Sequence, residues 1–178
     1  MGPSDVLSFW FEELTPNQWF EKDEALDARM RESFGALVEK VARDETASWR
    51  DTPEGRLAEV IVLDQLTRNI FRDDPRAFKY DDVALQRAQE AIEVGDDTQL
   101  EPIKRRFLYM PFMHSESKEV HEQAVQLFEA LGDEETLKYE HKHKDIIDQF
   151  GRYPHRNAVL GRDSTPEEVE FLQTHDGF

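Results

Sequence analysis

The sequence predicts an all-α protein, about eight antiparallel helices forming a single domain over residues 1–178. Three observations carry that expectation. Apolar residues recur at steps of three and four along most of the chain, as one face of a helix requires. Helix start and stop signals punctuate the intervals between them. No stretch carries a convincing strand pattern, because the one short apolar run is set inside a longer helical segment. With 38% hydrophobic residues, including 12 Phe and 3 Trp, a chain of 178 residues can build one real core. The 34% of charged residues suit helices with solvated outer faces.

Each element has a local reason. Ser4 can cap a short helix carrying Val6, Leu7, Phe9, Trp10 and Phe11. Thr15-Pro16-Asn17-Gln18 reads as a capping box with proline at the first helical position. Trp19 and Phe20 follow as expected core anchors. Asp23 can cap a long amphipathic helix through Leu26, Met30, Phe34, Leu37, Val38 and Val41. Thr52-Pro53-Glu54 opens the next helix, whose centre is Val60-Ile61-Val62-Leu63. Four consecutive apolar residues sweep about 300° of a helix, so this one is expected to be buried on most sides. Asp73-Asp74-Pro75 makes a turn. Asp81 or Asp82 opens a helix closed by Gly95. Leu100, Ile103, Phe107 and Met110 mark another, which Pro111 is expected to end or kink. Val120 to Leu131 form the next, ending at Gly132. A helix from about residue 133 then runs to Phe150, with Gly151 as its stop. Thr165-Pro166-Glu167-Glu168 is a full capping box for the last helix, with Val169, Phe171 and Leu172. The paired helices suggest an antiparallel array, yet no tetratricopeptide consensus repeats along the chain.

Charge limits the function classes. The net charge is −17, which disfavours phosphate backbones and anionic membranes, so no nucleic-acid and no membrane partner is expected. There is no cysteine, which removes disulfides, thiolate nucleophiles and Cys-ligated metals. The N-terminus has neither a basic nor an apolar leader region, and no window is long and apolar enough for a membrane span. The expectation is a soluble, cytoplasmic protein with no cofactor; the oligomeric state stays open.

Two segments mix the residue types that carry chemistry. In the buried helix, Leu57, Ile61, Asp64 and Arg68 fall on one face at steps of four and three. Arg68 and Asn69 are therefore candidates to line a ligand pocket, against the alternative of an internal Asp64–Arg68 ion pair. The second segment is His143–Arg162. Residues 141–162 hold Lys142, Lys144, Arg152, Arg156 and Arg162 against Asp145 and Asp148, a cationic island in an acidic chain. Pro154 forces Tyr153 into an extended conformation. Arg152, His155, Arg156 and Asn157 are then expected to project from an irregular ordered segment. Two arginines with an Asn suit capture of carboxylate or phosphate. The competing role is a cross-brace in which the arginines cap helix ends or pair with Asp64 and Asp148. The two segments are expected to meet in the fold.

The histidines offer fewer leads. His141 and His143 are two residues apart, about 200° around a helix, so their rings diverge and cannot share a metal. No metal site is expected. His143 lies on the apolar stripe with Tyr139, Ile146, Ile147 and Phe150, where a histidine is normally a satisfied core residue. Ser115 can serve as an N-cap with Glu116 in the first turn. Alternatively His114 and Glu116 face a cleft as an acid/base pair, with His155 as a further catalytic candidate. His121 could join His114 only along a continuous helix, and His175 is expected to be exposed. No nucleophile elbow, phosphate-binding glycine loop or dinucleotide fingerprint is present.

Three motifs carry a resemblance. Leu63–Arg72 (LDQLTRNIFR), Tyr109–Glu116 (YMPFMHSE) and Phe150–Glu168 (FGRYPHRNAVLGRDSTPEE) together resemble the bacterial family known as domain of unknown function 924. The likeness spans nearly the whole chain, including the early Phe9-Trp10-Phe11 and Trp19-Phe20. It implies an all-helical, tetratricopeptide-like fold and brings no catalytic residue with it. The family pattern includes positions matching Asp64, Gln65, Arg68, Asn69, His114, Ser115, Glu116, His143, Gly151, Arg152, Pro154, Arg156, Asn157 and Arg162. It often has glycine where this chain has Asp73.

Three functional expectations follow. The first is a binding protein with a polar pocket for a small anionic ligand or an acidic peptide end. Arg68, Arg152 and Arg156 would hold the anion, and Asn69 and Asn157 would orient it. The second is a hydrolase using His114 and Glu116 with an arginine clamp. The third is a tetratricopeptide-like protein-interaction module with a broad groove.

Overall fold

The computed structural model describes residues 1–175 and Gly177. Every regular element among the described residues is helical. The chain divides into two compact units, one of residues 1–72 with 76–111 and the other of residues 73–75 with 112–178. No described helix is long and apolar enough to cross a membrane.

The first unit is organised around one buried rod. It consists of α3 (Pro53–Val60), a π-helical stretch (Ile61–Leu66) and α4 (Thr67–Ile70) in unbroken succession. The Thr52 side chain caps its start by accepting from the Gly55 N–H at 3.0 Å. Gly55 is required there, because a Cβ would lie 1.7 Å from the Trp49 carbonyl oxygen. Residues 57–67 are buried without exception, which fulfils the expectation drawn from the apolar run. Each fully buried Ile or Leu in it contributes about 1.5–3 kcal/mol. Around the rod pack α1 (Pro3–Ser8), α2 (Glu24–Ala42) and α5 (Asp81–Glu93). Asp23 caps α2 as expected, accepting from Ala25 and Leu26 N–H groups.

Several expectations need correction. The first helix starts at Pro3, not after Ser4, and continues into a π-helical turn, Phe9–Glu13. Phe20 is no core anchor: it is 65% exposed. Trp19 is half-buried, and its indole N–H donates to the Trp10 carbonyl at 2.8 Å. The Thr15 capping box is present but opens only a short 3-10 turn, Pro16–Trp19. Pro111 does not end its helix, since α6 runs from Pro102 to His114. A helix can pass a proline when burial outweighs one lost hydrogen bond. Residues 107–113 of α6 are all buried.

Buried carboxylates hold the first unit together. Glu59 accepts from the Thr46 hydroxyl at 2.6 Å and from Arg50 at 3.2 and 3.3 Å. Asp27 accepts from Asn69 at 2.8 Å and from Arg72 at 2.5 and 2.9 Å. Burial works to raise the Asp27 pKa, but hydrogen bonds from Arg72 and Asn69 outweigh it and keep the carboxyl below its usual range.

The second unit is built on a helical hairpin, α7 (Lys118–Leu131) and α8 (Glu134–Phe150). Gly132, at φ 79°, and Asp133 make the turn, and helices that pack together across so short a link must run antiparallel. After Gly151, also left-handed at φ 72°, come a 3-10 turn (Pro154–Arg156), α9 (Asn157–Leu160) and α10 (Pro166–Thr174). The predicted capping box of α10 is present: Thr165 N–H donates to Glu168 at 2.9 Å and Glu168 N–H to Thr165 at 3.2 Å. Asp73 adopts φ 62°, the left-handed region that glycine favours and that Asp tolerates better than most residues.

Candidate functional site

Tyr153 is the hub of the second unit. It is extended (φ −91°, ψ 105°), as the following proline demands. It is also buried to 1% exposure. Its backbone N–H donates to Glu116 at 2.7 Å, and its hydroxyl donates to the Met113 carbonyl at 2.6 Å. The Arg156 guanidinium lies 4.7 Å over its ring, and the His143 ring meets it edge-on at 5.7 Å.

The arginines of this segment close onto defined partners. Arg162 donates to both Glu116 oxygens at 2.8 and 3.1 Å, to the Tyr153 carbonyl at 3.0 Å and to Asn157 at 3.0 Å. Arg152 grips Glu168 with two bonds of 2.7 and 2.9 Å and also donates to the Asp163 carbonyl. Arg156 donates to the His114 carbonyl at 2.9 Å. The Asn157 amide donates to Ser164 at 3.1 Å and to Glu168 at 3.4 Å. The segment is also more regular than expected: residues 154–160 form a 3-10 turn running into α9, not an irregular loop. Proline at the first position of that turn costs nothing, because its missing N–H would have had no helical partner.

These contacts set the carboxylates. Burial pushes the Glu116 pKa up, but Arg162 and the Tyr153 N–H overcome it and hold the group below its usual value. The Arg152 hydrogen bond brings Glu168 down to about 2. Both are therefore ionised acceptors at neutral pH. Glu116 can turn toward Arg162 because the start of α7 lies later than expected. Ser117, not Ser115, is the N-cap, and Glu119, not Glu116, occupies the first turn.

Beside this network lies a cleft of about 420 Å³, lined by Pro154, His155, Ala158, Arg162, Ser164, Leu172 and His175. The sequence placed His155 among the site residues, and it forms part of the wall. Arg152, Arg156 and Asn157 are not in the lining; they fix the wall through Glu168, His114 and Ser164. His155 is pushed down to about 4, mainly by burial and then by Arg156 and His175, so it is neutral at pH 7. His175 is half-buried, not exposed, and stacks on Phe171 at 4.7 Å. The available signal was their spacing, since residues four apart on a helix share a face.

The other histidines divide as the helix geometry requires. His141 is exposed and His143 buried. A carbonyl can only accept, so His143 Nδ1 donates to Tyr139 at 2.7 Å. Burial brings the His143 pKa down to about 3. Tyr139 itself is 44% exposed, off the buried stripe to which it was assigned. One pair went unnoticed in the sequence: His121 and Glu140, both fully buried, meet at 2.5 Å. Their stripes were the signal. His121 shares the buried face of α7 with Ala124 and Phe128, and Glu140 shares that of α8 with His143 and Ile147.

The remaining candidates sit in the first unit. Arg68 makes a two-pronged pair with Asp81 at 2.9 and 2.9 Å and donates to the Asp64 carbonyl at 2.6 Å. The Asp64 carboxylate is farther away, 3.6 Å from Arg68, and accepts from Gln65 at 2.6 Å. Asn69 donates to Asp27. Asp148, the other carboxylate suggested as an arginine partner, pairs instead with Lys144 at 2.6 Å. No cluster of three metal-ligating side chains occurs among the described residues.

Comparison with known proteins agrees with this architecture. No curated protein matches the chain. The solved structure of ATU0120, a protein of unknown function from Agrobacterium tumefaciens, is similar with a TM-score of 0.92 and 36% sequence identity, and the match covers 97% of each chain. The model of the family described as "Bacterial protein of unknown function (DUF924)" matches residues 6–176, and the chain belongs to that family.

Proposed function

We propose that this family member binds a small organic anion, one bearing a carboxylate or phosphate group, in the cleft of its second unit. The cleft itself carries the reading. Its roughly 420 Å³ falls within the usual range for small-molecule sites. Its wall sets a guanidinium, a hydroxyl and two imidazoles beside the apolar Pro154, Ala158 and Leu172. That mixture suits a ligand with one charged end and a short carbon body.

The set of ligand-contacting residues narrows accordingly. Arg162, His155, Ser164 and His175 face the ligand, and Arg152, Arg156 and Asn157 keep the wall in place. Arg162 already answers Glu116, so the site favours a singly charged anion over a dianion. Neutral His155 must take up a proton to add its charge. A bound anion favours the protonated ring, so affinity rises as pH falls from 7 toward 4. The hydrolase reading lacks comparable support, because a carboxylate held ionised by Arg162 is a poor proton donor near neutral pH.

Calorimetric titration with acetate, succinate and inorganic phosphate at pH 5 and pH 7.5 tests the proposal. At least one is expected to bind, more tightly at pH 5, and Ala158→Phe should abolish binding by filling the cleft while leaving the helical spectrum unchanged. Absence of binding by all three, or equal binding to the filled variant, refutes it.

A further inference from the structure

The His121–Glu140 pair sits at the centre of the second unit, and its geometry fixes how many protons it holds. His121 Nε2 lies 2.6 Å from the Ser115 carbonyl, which can only accept, so Nε2 carries hydrogen. It is also 3.1 Å from the Tyr153 hydroxyl, whose own hydrogen goes to Met113. His121 Nδ1 lies 2.5 Å from Glu140 Oε1, a separation that needs a proton between them. Both side chains have 0% exposure. The second oxygen of Glu140 is buried with no partner among the described residues. Without the shared proton, a carboxylate would face the lone pair of Nδ1 in the protein interior, which is strongly unfavourable.

The same histidine ties two stretches of chain together. Through Ser115 and Tyr153 it joins residues 113–116 to residues 153–156. Those stretches bring Glu116 to Arg162 and His114 to Arg156, and Arg162 and His155 form part of the cleft wall. We propose that the proton shared by Glu140 and His121 is a conformational switch: in place, it clasps residues 113–116 to 153–156, and its loss to solvent releases them.

The surroundings set the direction. Burial raises the Glu140 pKa from the ordinary 4.5, against the opposing pull of His121, His141 and Lys144. A group with a raised folded pKa contributes stability that is complete below its unfolded value and is lost as pH rises through the folded one. The clasp therefore opens toward alkaline pH. The other charged or titratable groups nearby are His143 and Arg156, both against the Tyr153 ring, and His114 and His155, which act on His143.

Hydrogen exchange on the full chain without ligand tests the switch separately from the binding proposal. The probes are the amides of Tyr153, bonded to Glu116, and Arg156, bonded to the Tyr153 carbonyl. After correction for intrinsic rates, their protection should fall about tenfold or more between pH 5 and pH 9.5. In Glu140→Gln the amide donates to Nδ1 without a titratable proton, so protection should persist across that range. In His121→Phe it should be low throughout. Unchanged protection in the parent chain overturns the proposal, as does a parallel fall in Glu140→Gln, and neither outcome depends on how His121→Phe folds.

Discussion

In sequence, the rod of the first unit and the Tyr153 segment resemble each other, since each crowds Arg, Asn and carboxylate partners against apolar residues. Their arginines and amides do different things. In the rod, the helix satisfies most of its own backbone. Arg68 and Asn69 mainly answer carboxylates, Asp81 and Asp27. In the Tyr153 segment the backbone turns too sharply to satisfy itself. Arg152, Arg156 and Arg162 each donate to a main-chain carbonyl, and Glu116 accepts from a main-chain N–H. Arginines near a Gly/Pro turn are therefore explained first by orphan backbone groups. The neighbouring cleft is what remains after those obligations are met.

This contrast can be broken at several points. Asp27→Ala should be the most damaging change, about 3–5 kcal/mol in urea unfolding, because it strands Arg72 and Asn69 in a mostly buried place. Glu116→Ala should cost less, about 2–3 kcal/mol, since Arg162 keeps the Tyr153 and Asn157 oxygens. Equal costs for the two would erase the distinction. Glu168 has a depressed pKa, so its contribution is complete above the ordinary 4.5 and disappears as pH falls toward about 2. Glu168→Gln should flatten the acid limb of stability over that interval, and a variant that follows the parent would remove Arg152–Glu168 as its source. His155→Ala should shift stability by only about 1 kcal/mol or less while abolishing anion binding in calorimetry. Phe20→Ser should change stability by no more than about 0.5 kcal/mol, because that ring is mostly solvated.

Helices were legible wherever one residue's neighbours determine its state. Asp23, Thr52 and Thr165 marked helix starts, and Gly132 and Gly151 marked ends, because caps are local chemistry. Pro111 misled because tertiary burial decides whether a helix survives a proline. Ser115 misled because Ser117 offers the same cap two residues later, and only the Arg162 partner of Glu116 reveals which is used. Within the site, Gly151 and Pro154 announced the turn and His155 stood out. Ser164 and His175 did not, since a cleft wall gathers residues that nothing in the linear order connects. The Glu140 partner of His121 was invisible for the same reason, although each residue advertised a buried face.

The π-helical stretch Ile61–Leu66 has a bearing on how relatives are aligned. It accommodates one more residue than an α-helix would over the same rise. Deleting a single residue there would restore regular winding and rotate everything downstream by about 100°. Arg68 would then swing away from Asp81, and Asn69 and Arg72 from Asp27. A one-residue gap at this point in a related sequence is therefore no neutral slip of register. It signals a protein that must hold this unit closed with a different set of partners.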